Sequence, residues 1–271
     1  MRLPPGARPA FQHVGGRAVA PGATLTALTI NAGDSASISS FSPGQRAFIA
    51  SAWTKNQVAG IAQMRSQRMH DLTNGYRLRS LIAAPFLLWP KGNLQEVFSQ
   101  DALIYEISGS AVAGDFEQLS SLIYYTKIDG IAQRLLTWQE YYARKMYDLT
   151  IETSVVSGAG GGYTGEVNLN TSTIYNLKAN TDYAITGYLV NVDCQSVVWK
   201  GPDTGQTRVG GPGHSTNKDV TREFFVAMAQ QYDVPFIPVF NSANGGATTI
   251  GVMTDENAGT FIVTTILAQL R

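Results

Sequence analysis

The sequence predicts an all-β protein with two short helices, built as two tandem eight-stranded jelly rolls. Three observations carry that expectation. Short runs of alternating apolar and polar residues recur along most of the chain, separated by clusters of turn-forming residues. Glycine (27 residues) and proline (11) are spread along the chain rather than gathered in a tail, as in a turn-rich β protein. The order of strand types in the first half returns in the second half, a faint internal duplication. The 271 residues suit two domains of moderate size, since a unit of roughly 120 residues buries about two-thirds of its unfolded surface and can hold a core.

Residues 1–20 are rich in Pro, Gly, Arg and Ala without a period and read as an extended N-terminal arm. The first unit spans 21–126. It opens with Leu25–Ile30 and Ser35–Phe41, then Ala47–Trp53, Val58–Met64 and Tyr76–Ile82, with Asn74-Gly75 as a tight turn. Ala84–Trp89 is a proline-marked apolar strand, and Ala102–Ile107 and Leu119–Tyr125 close the unit. A linker helix is expected within 127–146, because Ile128, Ile131, Leu135, Trp138 and Tyr142 recur at spacings of three and four.

The second unit, 147–271, repeats the order. Leu149–Val156 and Gly165–Leu169 match the opening, Tyr183–Leu189 matches Ala47–Trp53, and Val197–Trp199 matches Val58–Met64. Arg208 sits in a strand that matches the one bearing Arg77. A helix is expected over Asn217–Tyr232, with Val220, Phe224, Ala227 and Met228 on one face, Asn217 or Asp219 as cap and Pro235 just beyond the end. Val234–Phe240, Thr248–Met253 and Phe261–Leu270 complete the match.

Charged residues make up only 15% of the chain, below the typical quarter, and a low-charge surface suits a protein covered by neighbours. The net charge is zero but unevenly placed. Residues 1–90 hold nine basic and two acidic residues, a net +7, and the remainder carries −7. Two accounts stand: a basic part held near phosphate, or complementary charge between neighbouring subunits. Cys194 is the single cysteine and excludes an internal disulfide. The first residues show no apolar secretory core, and no apolar run approaches membrane-spanning length. The expectation is a soluble chain made in a reducing cytoplasm.

Little in the sequence points to catalysis. Gly158–Gly162 follows a strand like a dinucleotide loop, but the residues after it alternate like a strand instead of opening a helix. His13, His70 and His214 lie in polar contexts without metal-ligand spacing and read as surface loop residues. No Gly-x-Ser-x-Gly elbow accompanies them. No cofactor is expected. Asp115 with Glu117, and Asp255 with Glu256 and Asn257, are candidate oxygen ligands for a calcium ion between subunits, although solvated turn carboxylates are the simpler account. Tyr124, Tyr125, Trp138, Tyr141, Tyr142 and Tyr147 gather around the linker, and their periodicity favours burial over a sugar-binding platform. The basic stretch 46–79 lacks interleaved exposed aromatics, which disfavours sequence-specific nucleic-acid reading.

Two such units in one chain, with Tyr183–Leu189, Gly201-Pro202-Asp203-Thr204-Gly205, Gly210-Gly211-Pro212-Gly213, the helix from Asn217 and Pro235–Asn244, resemble the double jelly-roll major capsid proteins of tailless, lipid-containing bacteriophages, the corticovirus-like and tectivirus-like proteins. The resemblance covers 21–271 at the level of architecture. It implies a homotrimer with a pseudo-sixfold outline that tiles an icosahedral shell, located in the virion and assembled in the host cytoplasm. It also implies contacts with other virion proteins, such as a vertex protein, and with an inner membrane or genome. Arg2, Arg8 and Arg17 of the arm are the residues placed for contact with neighbours, membrane or genome, since an arginine fork pairs well with phosphate. The alternative is a carbohydrate- or receptor-binding β-sandwich protein of a viral spike or fibre.

Overall fold

The computed structural model describes residues 8–38, 40–68, 75–79, 86–87, 94–128, 130–157, 162–163, 166–169, 177–254 and 259–271. The first half holds β1 (Ala10–Val19), β2 (Thr26–Ala27), β3 (Thr29–Ile30), β4 (Ala47–Lys55), β5 (Ile61–Arg65), β6 (Tyr76–Arg79), β7 (Phe86–Leu87), β8 (Gln95–Val97), β9 (Ile104–Ile107) and β10 (Phe116–Tyr125). A connection follows, with β11 (Leu135–Leu136) and α1 (Trp138–Arg144). The second half holds β12 (Lys145–Val156), β13 (Gly162–Tyr163), β14 (Val167–Asn168), β15 (Asp182–Val190), β16 (Cys194–Lys200) and β17 (Val209–Gly213). It ends with α2 (Lys218–Thr221), α3 (Phe224–Tyr232), β18 (Ile237–Asn241), β19 (Thr249–Thr254) and β20 (Thr260–Leu270). The protein is mostly β, as the alternation predicts.

The strands form four sheets. Sheet A has the order β2-β9-β5-β6, and sheet B has β3-β1-β10-β4-β7, with β8 also on β4. Sheet C has β13-β19-β16-β17, with β14 also on β19, and sheet D has β11-β18-β15-β20-β12. Counting β7 with β8 and β13 with β14 as single positions, and β2 with β3 as the second, both halves share first-eighth-third-sixth in one sheet and second-seventh-fourth-fifth in the other; they differ in β3, which pairs with β1 in sheet B, and in β11, which is added beside β18 in sheet D. The duplication extends to a local irregularity. The third strand carries an extra residue at the same place in each half, Ala50 of β4 opposite Leu122/Ile123 of β10 and Thr186 of β15 opposite Ile266/Leu267 of β20.

Side-chain parity sets the stacking. On β10, Leu119, Ile123 and Tyr125 join Ala62, Met64, Tyr105 and Ile107 of sheet A in one core. The alternate residues Leu122 and Tyr124 join the core of the second half. Sheet B is therefore buried on both faces, and all nine residues of β4 are buried. The layer order is A, B, C, D, with sheets B and C inside.

Three expectations are corrected. Residues 10–19 are not an arm but the first strand, paired along its length with β10 and buried. The first unit therefore begins at Ala10, and β1, not Leu25–Ile30, is the counterpart of Lys145–Val156. The strand went unseen because burial on both faces suppresses alternation and because Gly15-Gly16 breaks its apolar run; residues 1–7, with Arg2, lie outside the described residues. The linker helix is only seven residues, started by a Thr137/Glu140 capping box. Ahead of it the chain runs extended beside β18, with Phe236 N–H donating to the Leu136 carbonyl (3.0 Å) and Val239 N–H to the Arg134 carbonyl (2.8 Å). Tertiary pairing overrides the helical spacing of Ile131 and Leu135. The helix at Asn217–Tyr232 is two pieces, α2 and α3, and no side chain caps α2 at Asn217.

The helix pair packs tightly on β15 at Gly187. A Cβ there would stand 2.2 Å from the Arg222 carbonyl oxygen. Gly187→Ala is expected to lower stability by about 1–3 kcal/mol through overpacking, measured by urea unfolding; an unchanged midpoint would show that α2 yields freely.

Candidate functional site

The best-built polar region is the seam between sheets B and C. It forms because β1, β4 and β10 present their second face to β16, β17 and β19. A row of residues across sheet B, Gly15–Ser120–Trp53, meets Gln195 and Ser196 of β16. Trp53 Nε1 donates to the Gln195 carbonyl (2.6 Å) and to Ser196 Oγ (3.1 Å), and Gln195 Nε2 donates to the Trp53 carbonyl (3.1 Å) and Ser120 Oγ (3.1 Å). Gly15 allows this approach: a Cβ there would lie 2.9 Å from Met253 Sδ. Below the polar row, Phe11 stacks on Phe236 with centroids 4.3 Å apart, and the Tyr124 ring lies 5.7 Å from Phe236.

At one edge the seam holds charge. Arg208, which leads into β17, donates to the Ala32 carbonyl (2.7 Å), to Asp34 Oδ1 (3.0 Å) and to Glu166 Oε1 (3.1 Å). Its guanidinium also covers the Tyr163 ring at 4.1 Å. Gly33, at φ +87°, turns the chain so that Ala32 and Asp34 both face Arg208. Burial raises the Asp34 carboxyl above its usual range, opposed by the Gly15 N–H and by Arg208. Burial likewise lifts the Tyr163 phenol well above its ordinary value.

His13 lies at the centre. Its Nε2 is 2.9 Å from Ser196 Oγ, its Nδ1 meets the Tyr163 hydroxyl, and Asp34 Oδ2 is 3.9 Å from Nδ1. The residue types are those of a hydrolytic triad, but His13 and Ser196 are 1% and 0% exposed, so no substrate reaches them. Burial, reinforced by Arg208, lowers the His13 pKa to about 3. The cluster acts as a neutral-histidine lock between the two halves.

The histidines depart from the sequence expectation. His13 and His214 are buried, not in surface loops; His13 is absorbed by packing against Ser196 and Tyr163 of the second half, and His70 lies outside the described residues. The Glu117 carboxylate is buried and accepts the backbone N–H groups of Gln57 (2.9 Å) and Ser110 (2.7 Å), which gives it a structural role. Asp255, Glu256 and Asn257 lie outside the described residues. Among the described residues no group of three or more His, Cys, Asp or Glu is placed to hold a metal ion. Cys194 is buried and forms no disulfide. Arg8 is exposed and Arg17 half-buried, its guanidinium 5.6 Å from the centroid of the Phe116 ring. Tyr124, Tyr125 and Tyr141 are buried, whereas Tyr142 and Tyr147 are half exposed.

Asp34, Tyr163 and Arg208 escaped sequence reasoning because over 120 residues separate Asp34 from its Tyr163 partner, and more still from Arg208. The one available signal was the eleven-residue run without proline between Pro9 and Pro21, long enough for a strand. No protein-family model matches the chain, and no curated protein matches it.

The pH dependence follows from His13. Its folded pKa is depressed, so between about pH 3 and 6.5 the unfolded chain binds more protons than the folded chain. Stability is therefore lost as pH falls below 6.5, by about 2 kcal/mol from His13 alone at pH 5. Asp34, with its raised pKa, contributes with the opposite sign, so the His13 part is the difference between wild type and His13→Gln. Urea midpoints from pH 7 to 5 are expected to fall more steeply for wild type; parallel profiles would contradict the lock.

Proposed function

We propose that this chain is a major capsid protein that self-assembles as pseudo-hexameric trimers into an icosahedral viral shell, with each half a jelly roll. The observation that carries the reading is the strand order that the two halves share, apart from β3 and β11, together with the matching bulge on the third strand. One chain then supplies two similar building units, and three chains supply the six positions of a hexagonal tile. The sandwich of sheet on sheet repeats through the molecule.

In this reading the protein works by binding its own copies and not by catalysis, and the sealed His13–Ser196 contact belongs to folding. It resides in the virion, beside partners such as a vertex protein. Basic residues of the first half, with Arg8 exposed ahead of β1, face an inner membrane or genome. The seven residues before Arg8 extend that basic end through Arg2.

A second reading has a specific observation in its favour. Tyr142, Met146 and Tyr147 are each about half exposed and lie together around the end of α1. Such a patch also suits a carbohydrate- or receptor-binding protein of a spike or fibre.

The two readings part on one measurement. Light-scattering mass of the purified protein is expected at three chain masses, with electron microscopy showing pseudo-hexagonal units or closed particles. A stable monomer that binds glycans on an array would replace the capsid reading with the second.

A further inference from the structure

We infer that a cavity at one end of sheet D binds a saccharide that carries a carboxylate, such as a sialic or uronic acid sugar. The inference is independent of the assembly reading; it rests on the saccharide-binding reading and gives that reading a site.

All five strands of sheet D reach the wall of this cavity. Arg134 precedes β11, Asn241 ends β18, Asp182 opens β15, Arg271 follows β20, and Met146 lies at the start of β12. The space enclosed is about 550 Å³, within the roughly 300–1,000 Å³ of small-molecule sites. Asp182 is the sole carboxylate among the described residues of the wall, and it ties the wall together. It accepts from both terminal nitrogens of Arg134 (3.0 and 2.5 Å) and from Asn241 Nδ2 (2.9 Å), and Arg144 stands 3.5 Å away. Its charge is therefore already answered.

The turn before β15 is pinned, and its side chains are left unused. The Lys178 N–H donates to the Tyr183 hydroxyl (2.8 Å), the Lys178 carbonyl accepts from Ser242 Oγ (2.8 Å), and the Thr181 N–H donates to Ser242 Oγ (3.0 Å). Asn180 holds φ +47°, a left-handed conformation that asparagine tolerates. Such a turn presents its side chains at little further cost in chain entropy. Yet the side chains of Lys178, Asn180 and Arg271, which all line the cavity, make no hydrogen bond or ion pair among the described residues. Two cations and one amide thus converge without a partner.

Their chemistry names the ligand. The Arg271 fork suits the two oxygens of a carboxylate, and Lys178 adds a second positive charge. The Asn180 amide offers a donor and an acceptor to ring hydroxyls. Met146 and Tyr147 are each about half exposed. The Gln269 amide holds them side by side, donating to Met146 Sδ (3.5 Å) and accepting from the Tyr147 hydroxyl. They give the apolar face of a sugar ring a surface to lie on. Inorganic phosphate would engage the cations but leave the amide and this apolar surface idle.

Isothermal titration calorimetry of the full chain tests this with sialyllactose and a hyaluronan tetrasaccharide, against lactose and inorganic phosphate as controls. At least one acidic sugar is expected to bind, at least ten-fold more tightly than either control, and more weakly as salt rises. Lys178→Ala and Arg271→Ala alter exposed side chains, and circular dichroism verifies that both variants fold. Each is expected to lose at least ten-fold in affinity for the acidic sugar. Asn180→Gly, which keeps the left-handed turn but removes the amide, is expected to weaken it as well. Acidic sugars that bind no tighter than lactose, or phosphate that binds as tightly as they do, would overturn the inference. Folded K178A and R271A variants that bind glycans on an array like wild type would overturn this site and leave the saccharide-binding reading standing. A wild-type chain that binds no glycan would overturn both.

Discussion

The architecture depends on one constraint: sheet B is buried on both faces. A sheet with one wet face can alternate polar and apolar residues, but β4 and β10 cannot, because one side meets sheet A and the other sheet C. Their composition follows. Small apolar residues (Ala47, Ala50, Ala52) keep β4 thin, and its aromatic residues, Phe48 and Trp53, turn toward the second half while Ile49 joins the core of the first. The two units are consequently one packed body, with a hydrophobic core that runs from Phe11 and Trp53 into Trp199 and Phe225.

Many polar groups inside that body are answered, with the buried Tyr124 hydroxyl and Gln195 Oε1 as exceptions that make no hydrogen bond among the described residues. Ser120, Ser196, Gln195 and the Trp53 indole satisfy one another across the seam, and an isolated polar group there would cost about 1–3 kcal/mol. The charged edge follows the same rule, with Arg208 held between Asp34 and Glu166. Such directional bonds fix the register of sheet B on sheet C, which apolar contact alone leaves free to slide.

The sequence made much of this fold legible, for physical reasons. The strands around Tyr183, Val197, Phe236 and Phe261 were readable because turns with Gly, Pro or Asn bound each apolar run, and their counterparts in the first half share that punctuation. The opening strand was not readable, since Gly15 and Gly16 serve close packing that only the folded chain displays. The helical spacing of Ile128 to Tyr142 was real but outcompeted upstream of Thr137 by pairing with β18. Of the polar seam, nothing in local pattern links His13 to Ser196 or Arg208 to Asp34. The charge asymmetry was legible in the sequence.

The central claim is that sheet B joins the two halves into a single cooperative structure, and hydrogen–deuterium exchange of the native protein tests it most directly. The account predicts that amides of Ala47–Lys55 and Phe116–Tyr125 are the slowest in the molecule, exchanging together with those of Cys194–Lys200 only on global unfolding. Faster exchange of β4 and β10 than of β16, through an opening that separates the halves, would contradict it.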